Sequence, residues 1–306
     1  MATALLTHPD CVLHEMGEGH PESPQRLRSV MAAIEASGLA AKLKAVEAPL
    51  AERKHLERVH DPEHVDRVFE AAPQRGYASL DPDTSMNPKS LSAALRAAGA
   101  VVKGVDLVMA GEAEAAFCAV RPPGHHATTG RAMGFCMFNN VGVGAAHALE
   151  AHGLERVAVL DFDVHHGNGT EEQFHDDPRV MLCSTFQHPY YPYSGAESGN
   201  EHIINVPLPA MTAGPGFRKA VERFWLPALE SYKPQVVFVS AGFDAHREDP
   251  LAYLQLEDED YRWVTERLVE VADRHANGRV VSTLEGGYNV TALGRCVVEH
   301  LEALTA

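Results

Sequence analysis

An α/β fold is predicted by three features of this 306-residue sequence: a single domain with a central, mostly parallel sheet of about eight strands and helices on both faces. Apolar runs too continuous to leave one face in water recur along the chain, as buried parallel strands do. Helical patterns lie between them, and strand alternating with helix is the mark of a parallel sheet. Polar clusters sit where several runs end, and the carboxyl ends of parallel strands share one edge.

The elements follow in order. The run TALLTH (3–8) opens the chain and precedes a helical pattern over 24–37. A second helix, 88–109, leads into AEAAFCAV (113–120), and a third, 140–152, into RVAVLDF (156–162). RVMLCSTF (179–186) and HIINVPL (202–208) come next, then a helix over 215–229 and the run QVVFVSAGF (235–243). A helix over 258–274, the run RVVSTLEGG (279–287) and a helix over 291–304 complete the chain. No repeat, low-complexity tract or Pro/Ser-rich linker divides it, so a single domain over 1–306 is expected. The irregular stretches 76–87, 121–139 and 187–202 are longer than connections require, as functional loops often are.

Composition narrows the function. A formal net charge of −16 disfavours nucleic-acid binding and suits a cationic or basic partner. No run reaches the length of a membrane span and no signal peptide is evident, so a soluble, cytoplasmic protein is expected, with homo-oligomerisation left open. Five scattered cysteines, never in a C-x-x-C pair, predict reduced and mostly buried thiols rather than disulfides or a thiolate zinc site.

Four clusters carry the chemistry: RPPGHHA (121–127), DFDVHHGNGT (161–170), AGFDAHREDP (241–250) and EGGYN (285–289). Asp161, Asp163 and His165 are spaced by two and project to one side of an extended backbone. Asp163 and His165, joined by Asp244 from another strand end, can grip one divalent cation with a position left for water, a plausible catalytic site for Zn²⁺ or a neighbouring first-row metal. His125 and His126 can move protons near neutral pH, with Asp161 and Asn168 as orienters. Tyr288, behind two glycines, can donate a hydrogen bond to an oxyanion, and Phe135 and Tyr191 can wall a narrow channel. The other histidines, His14, His60, His64, His246 and His300 among them, read as solvated loop residues, and His166 has no assigned chemistry.

Together these motifs resemble the zinc-dependent histone deacetylase family, within the arginase-deacetylase fold, from HPESPQR (20–26) to EGGYN. The wording DVHHGNGT, AGFDA and LEGGYN resembles the class II branch, which includes bacterial histone deacetylase-like amidohydrolases, more than class I. The resemblance implies one zinc per chain on Asp163, His165 and Asp244, His126 as general base and acid beside His125, and Tyr288 as transition-state tyrosine. It also implies Asp161 and Asn168 as partners of the histidines, Arg26 beneath the site, and substrate contacts at Gly134, Phe135, Tyr191, Leu251 and Gly287, with Asp83 on the rim. A structural K⁺ or Na⁺ would use Asp161, the Ser184 hydroxyl and the backbone of Asp163, His165 and Thr185; a second such site would lie near Phe174, Asp177 and Val180.

The implied reaction is removal of acetyl or another short acyl group from lysine side chains of proteins or peptides. A ureohydrolase of the same fold needs two manganese ions, but Gly242 stands where its first bridging aspartate would be. An acetylpolyamine amidohydrolase carries a glutamate gatekeeper where this chain has Leu251. An inactive acyl-lysine-binding module is a third reading, disfavoured because every chemical group is present.

Overall fold

The computed structural model describes residues 2–306. Among the described residues ten strands are present: β1 (Thr3–Thr7), β2 (Leu43–Glu47), β3 (Ala78–Asp81), β4 (Thr84–Met86), β5 (Ala115–Cys118), β6 (Val157–Asp161), β7 (Val180–Gln187), β8 (Ile203–Leu208), β9 (Val237–Ala241) and β10 (Val280–Leu284). Eight of them form the central sheet in the order β2-β1-β5-β10-β9-β6-β7-β8, and every pairing in it is parallel. β5, β6, β7, β9 and β10 are buried along their whole length, which explains their unbroken apolar runs. β2 is a half-exposed edge strand, LKAVE, whose lysine and glutamate hid it from the apolar pattern.

The helices are α1 (Asp10–Leu13), α2 (Pro24–Ala36), α3 (Arg53–Leu56), α4 (Pro62–Ala71), α5 (Ser90–Met109), α6 (Asn140–His152), α7 (Asn168–Phe174), α8 (Gly214–Ala220), α9 (Leu226–Tyr232), α10 (Asp258–His275) and α11 (Val290–Leu304). The continuous helix expected over 215–229 is instead α8 and α9 joined by a π turn, Val221–Trp225. Pro227 has no N–H to give to the turn before it, which accounts for the widened winding there. The stretch 76–87 is not an irregular loop: β3 and β4 pair as an antiparallel hairpin whose turn contains Pro82. Among the described residues no helix is long and apolar enough to cross a membrane. All five cysteines are free and buried, as expected.

Several histidines assigned to solvated loops are structural and buried: His14, His60, His64, His246 and His300. His300 on α11 is neutral and satisfied on both sides. Its Nδ1 lies 2.7 Å from Thr265 Oγ1, whose own proton goes to Tyr261 O, and its Nε2 lies 2.8 Å from Ser282 Oγ. Burial pushes His300 down to about 3, and burial together with His64 does the same to His60. Below about 6.5 the unfolded chain therefore takes up protons that the folded chain refuses, so these residues remove stability as pH falls from about 6.5 toward 3. The thermal midpoint should drop between pH 7 and 5, and His300→Gln should flatten that slope. A pH slope unaltered by the substitution would contradict this assignment.

Candidate active site

Four chain segments meet at the carboxyl edge of the sheet, as the sequence pattern predicts. The loops after β5, β6, β9 and β10 bring His125 and His126, Asp163 and His165, Asp244, and Tyr288 together from adjacent strands. Register explains the convergence: Asp161 pairs with Ser240 of β9 and with Ser184 of β7, and Ser240 pairs with Thr283 of β10, so one row of polar side chains crosses the sheet end.

Asp163, His165 and Asp244 are buried, and one ligand atom from each lies within 4.8 Å of the others. His165 Nδ1 is 3.1 Å from both Asp163 Oδ1 and Asp244 Oδ2. Backbone donors fix the carboxylates: Gly286 N–H to Asp163 Oδ2 at 2.8 Å, and Val164 N–H to Asp244 Oδ1 at 2.9 Å. Burial, and then the Asp163 carboxylate, raise the Asp244 carboxyl; two acids held together out of water call for a cation. Two carboxylates and an imidazole suit a first-row divalent ion, so the donor set fits zinc. The backbone is shaped to this cluster, since a Cβ on Gly242 would lie 2.0 Å from Asp163 Oδ2 and one on Gly286 2.1 Å from Asp244 Oδ2. The bridging aspartate of a two-metal ureohydrolase cannot occupy position 242 in this backbone.

Two other groupings, Asp106 with His147 and His152, and His246 with Asp258 and Cys296, have ligand atoms equally close. In the first, Arg58 donates to His147 Nδ1 at 2.7 Å, so Nε2 carries the proton it gives to Asp106. In the second, Glu248 N–H donates to His246 Nδ1, and Arg295 pairs with Asp258. Protonated Nε2 atoms beside the carboxylates and neighbouring guanidinium groups make both ion-paired clusters rather than metal sites.

The tandem histidines face opposite environments. His125 Nδ1 lies 2.9 Å from Asp161 Oδ2; burial alone would lower its pKa, but Asp161 and Asp163 outweigh it and hold the ring well above the ordinary imidazole value. His126 is pushed well below that value by burial and by the His125 and His165 rings. Its Nδ1–H donates to Asn168 Oδ1 at 2.8 Å, which leaves Nε2 as a lone pair. Asp161 and Asn168 therefore sit where they were expected, on the two rings. Paired groups driven apart in this way suit one neutral proton acceptor beside one charged partner.

A cavity of about 290 Å³ above these groups is lined by Asp83, His126, Gly134, Phe135, His165, Tyr190, Tyr191, Tyr193, Leu251 and Tyr288. Phe135 is presented by a two-residue turn between Met133 and Cys136, with φ of 57° at Gly134 and 68° at Phe135, as a type I′ turn requires. A Cβ at Gly134 would lie 2.4 Å from His126 Cδ2, so only glycine fits. The β3–β4 hairpin latches this turn: Asp83 Oδ1 accepts the Gly134 N–H and Thr84 Oγ1 accepts the Phe135 N–H, both at 3.0 Å. Tyr191 stands edge-on to His126 at 5.2 Å. Gly287, expected at the substrate, does not line the cavity; its carbonyl accepts from Arg26 Nε at 2.6 Å, and Arg26 faces the Tyr288 ring at 4.9 Å. Ser184 and Thr185 are buried beside the row, with the Ser184 hydroxyl 3.2 Å from His166 Nδ1.

A family model described as the histone deacetylase domain matches residues 20–304. The chain belongs to the histone deacetylase family. The histone deacetylase-like amidohydrolase of Pseudomonas aeruginosa is 41% identical over 296 residues, covering 94% of this chain and 78% of that protein. The probable deacetylase of Archaeoglobus fulgidus is 35% identical over 298 residues, covering 95% and 82%. The crystal structure of the HDA15 HD domain superposes with a TM-score of 0.93 at 32% identity, over 99% of this chain and 88% of that one. As a histone deacetylase family member, the chain is a hydrolase acting on amide bonds.

Sequence reasoning missed several supports of this site. Asp249 is buried and accepts the N–H groups of Tyr288 at 2.6 Å, Asn289 at 3.2 Å and Leu251 at 3.0 Å, so it fixes the backbone of the tyrosine. Under the site Glu22 accepts Arg121 Nε and Nη2 at 2.5 and 2.6 Å and Arg26 Nη1 at 3.0 Å, all three side chains fully buried. His166 is buried too, at 2.5 Å from Glu171. The only signal in the sequence was the presence of charges inside otherwise conformationally specialised Pro/Gly-rich motifs.

Proposed function

We propose that this chain removes acetyl or other short acyl groups from lysine side chains of proteins or peptides, as one catalytic domain over residues 1–306 that uses a single zinc ion. The observation that carries the reading is the placement of His126 and Tyr288 in one aromatic-walled cavity with the metal-ligand set at its base. Phe135 and Tyr191 suit the apolar stem of an acyl-lysine, and Leu251 and Asp83 belong to the rim. Five buried free thiols favour a reducing compartment such as the cytoplasm.

A zinc ion on Asp163, His165 and Asp244 would polarise the acyl carbonyl and acidify water, whose free pKa of about 15.7 falls to about 7 on coordination. His126 Nε2 takes the proton of the attacking water and later returns it to the leaving lysine amine. His125, held by Asp161, keeps positive charge beside that step. The Tyr288 phenol donates to the oxyanion; burial above all raises its pKa well above the ordinary value and keeps it in the protonated form that can donate. Asp161 and the Ser184 hydroxyl, with backbone oxygens of Asp163, His165 and Thr185, would hold a structural K⁺ or Na⁺ beneath. Acetate and a free lysine side chain are the products.

Tyr288→Phe should retain fold and metal while kcat falls by about 10²- to 10³-fold, the cost of one oxyanion donor. An unchanged kcat on an acetyl-lysine peptide would remove Tyr288 from the mechanism. Acetylpolyamines are the second reading, favoured by the Asp83 carboxylate at the mouth, which can attract a distal ammonium. Hydrolysis of N-acetylputrescine far faster than of the peptide would select it.

A further inference from the structure

One buried acid at this edge has no part in the chemistry above. Glu285, at the end of β10, is fully buried three residues before Tyr288. Its Oε2 accepts the backbone N–H of Gly124 at 2.6 Å and of His125 at 3.1 Å. Its own N–H donates to Ala241 O of β9 at 2.9 Å, and its carbonyl accepts from Arg26 Nη2. One residue thus ties the loop after β5 to the ends of β9 and β10. Its Oε1 has no hydrogen-bond partner among the described residues, and neither do the buried hydroxyls of Ser240 and Thr283. These two are register partners, and Glu285 follows Thr283 by two, so all three belong to one face of the sheet end. Burial, the largest influence, pushes the Glu285 carboxyl up to about 7. A buried carboxyl without a cation on its oxygens is costly, and here the return is two fixed amides on the tandem-histidine loop.

We propose that Glu285 is a positioning residue for the tandem histidines: its grip on the Gly124 and His125 amides fixes the loop of His125 and His126 to the strand end of Tyr288, and so sets the spacing between proton carrier and oxyanion donor. This rests on the roles given to His126 and Tyr288 above. Displacing such groups by about 1 Å costs on the order of 100-fold in rate.

The test separates reach from charge. Glu285→Gln keeps an acceptor of the same length and drops the charge; Glu285→Asp keeps the charge and falls one methylene short. The purified, zinc-loaded chain is assayed on an acetyl-lysine peptide, and amide hydrogen exchange is followed over residues 121–127. Glu285→Gln should stay within about threefold of the parent kcat, while Glu285→Asp loses about 10- to 100-fold in kcat with KM within about twofold and metal content unchanged. Exchange at Gly124 and His125 should accelerate in Glu285→Asp alone. The proposal is overturned if Glu285→Asp keeps kcat and Glu285→Gln loses it, if both retain it, or if exchange rises evenly across the chain. Should the parent protein hydrolyse no acetyl-lysine peptide, the functional reading fails, while exchange at the two amides still reads the clamp.

Discussion

Asp244→Ala should yield a folded chain that retains no zinc and loses at least about 10³-fold in kcat/KM on an acetyl-lysine peptide, because one ligand of three is gone and water stays close to its free pKa. Metal analysis of the purified variant, together with the assay, checks both halves. In the parent chain a chelator should abolish turnover, and one equivalent of Zn²⁺ per chain should restore it. Two tightly bound metals per chain would contradict the reading, since Gly242 leaves no room for a second bridging acid. The same substitution removes the like-charge repulsion between Asp163 and Asp244 but leaves the buried Val164 N–H without its acceptor, so the metal-free variant should melt close to the metal-free parent. This separates loss of function from loss of fold.

The largest stability effect is expected at Arg121. Arg121→Met strips Glu22 of its bidentate partner and leaves the carbonyls of Cys11 and His14 without that donor, deep under the site. Breaking a buried pair from one side costs about 3–5 kcal/mol. Denaturant unfolding should show that loss, and the double variant Glu22→Gln with Arg121→Met should recover part of it, since the acid that lost Arg121 is then neutral while Arg26 keeps its bonds to the Gly287 and Glu285 carbonyls. A double variant worse than the sum of the singles would contradict that account. Activity should fall as well, because Glu22 also steadies Arg26, which holds the Gly287 carbonyl next to Tyr288.

Much of this molecule was legible in its sequence because parallel strands buried on both faces write themselves as unbroken apolar runs, and polar residues interrupt them only where the strands end. That is why Asp163, His165, Asp244, His126 and Tyr288 could be named together before their distances were known. The edge strand β2, half in water, carries no such run. The β3–β4 hairpin was obscured by Pro82 and by its short strands. The buried histidines were missed for another reason. Whether an imidazole is solvated or enclosed depends on partners such as Thr265 and Ser282 for His300, 35 and 18 residues away in the chain. The Glu22–Arg121 pair, 99 residues apart, is equally invisible to any local pattern.

The latch between the β3–β4 hairpin and the Gly134–Phe135 turn divides the cavity between two kinds of scaffold. Its base stands on strand ends locked in register, whereas its Phe135 wall is tied by two amide N–H groups to the Asp83 and Thr84 side chains of a small, separate ribbon. Substrate scope and hydrolytic chemistry therefore rest on different scaffolds, which meet where Gly134 packs on the His126 ring. Changes in the ribbon that spare the Asp83 and Thr84 latch should widen, narrow or recharge the entrance while the strand ends below keep their register, which makes the rest of residues 78–86 the place to retune selectivity in this enzyme.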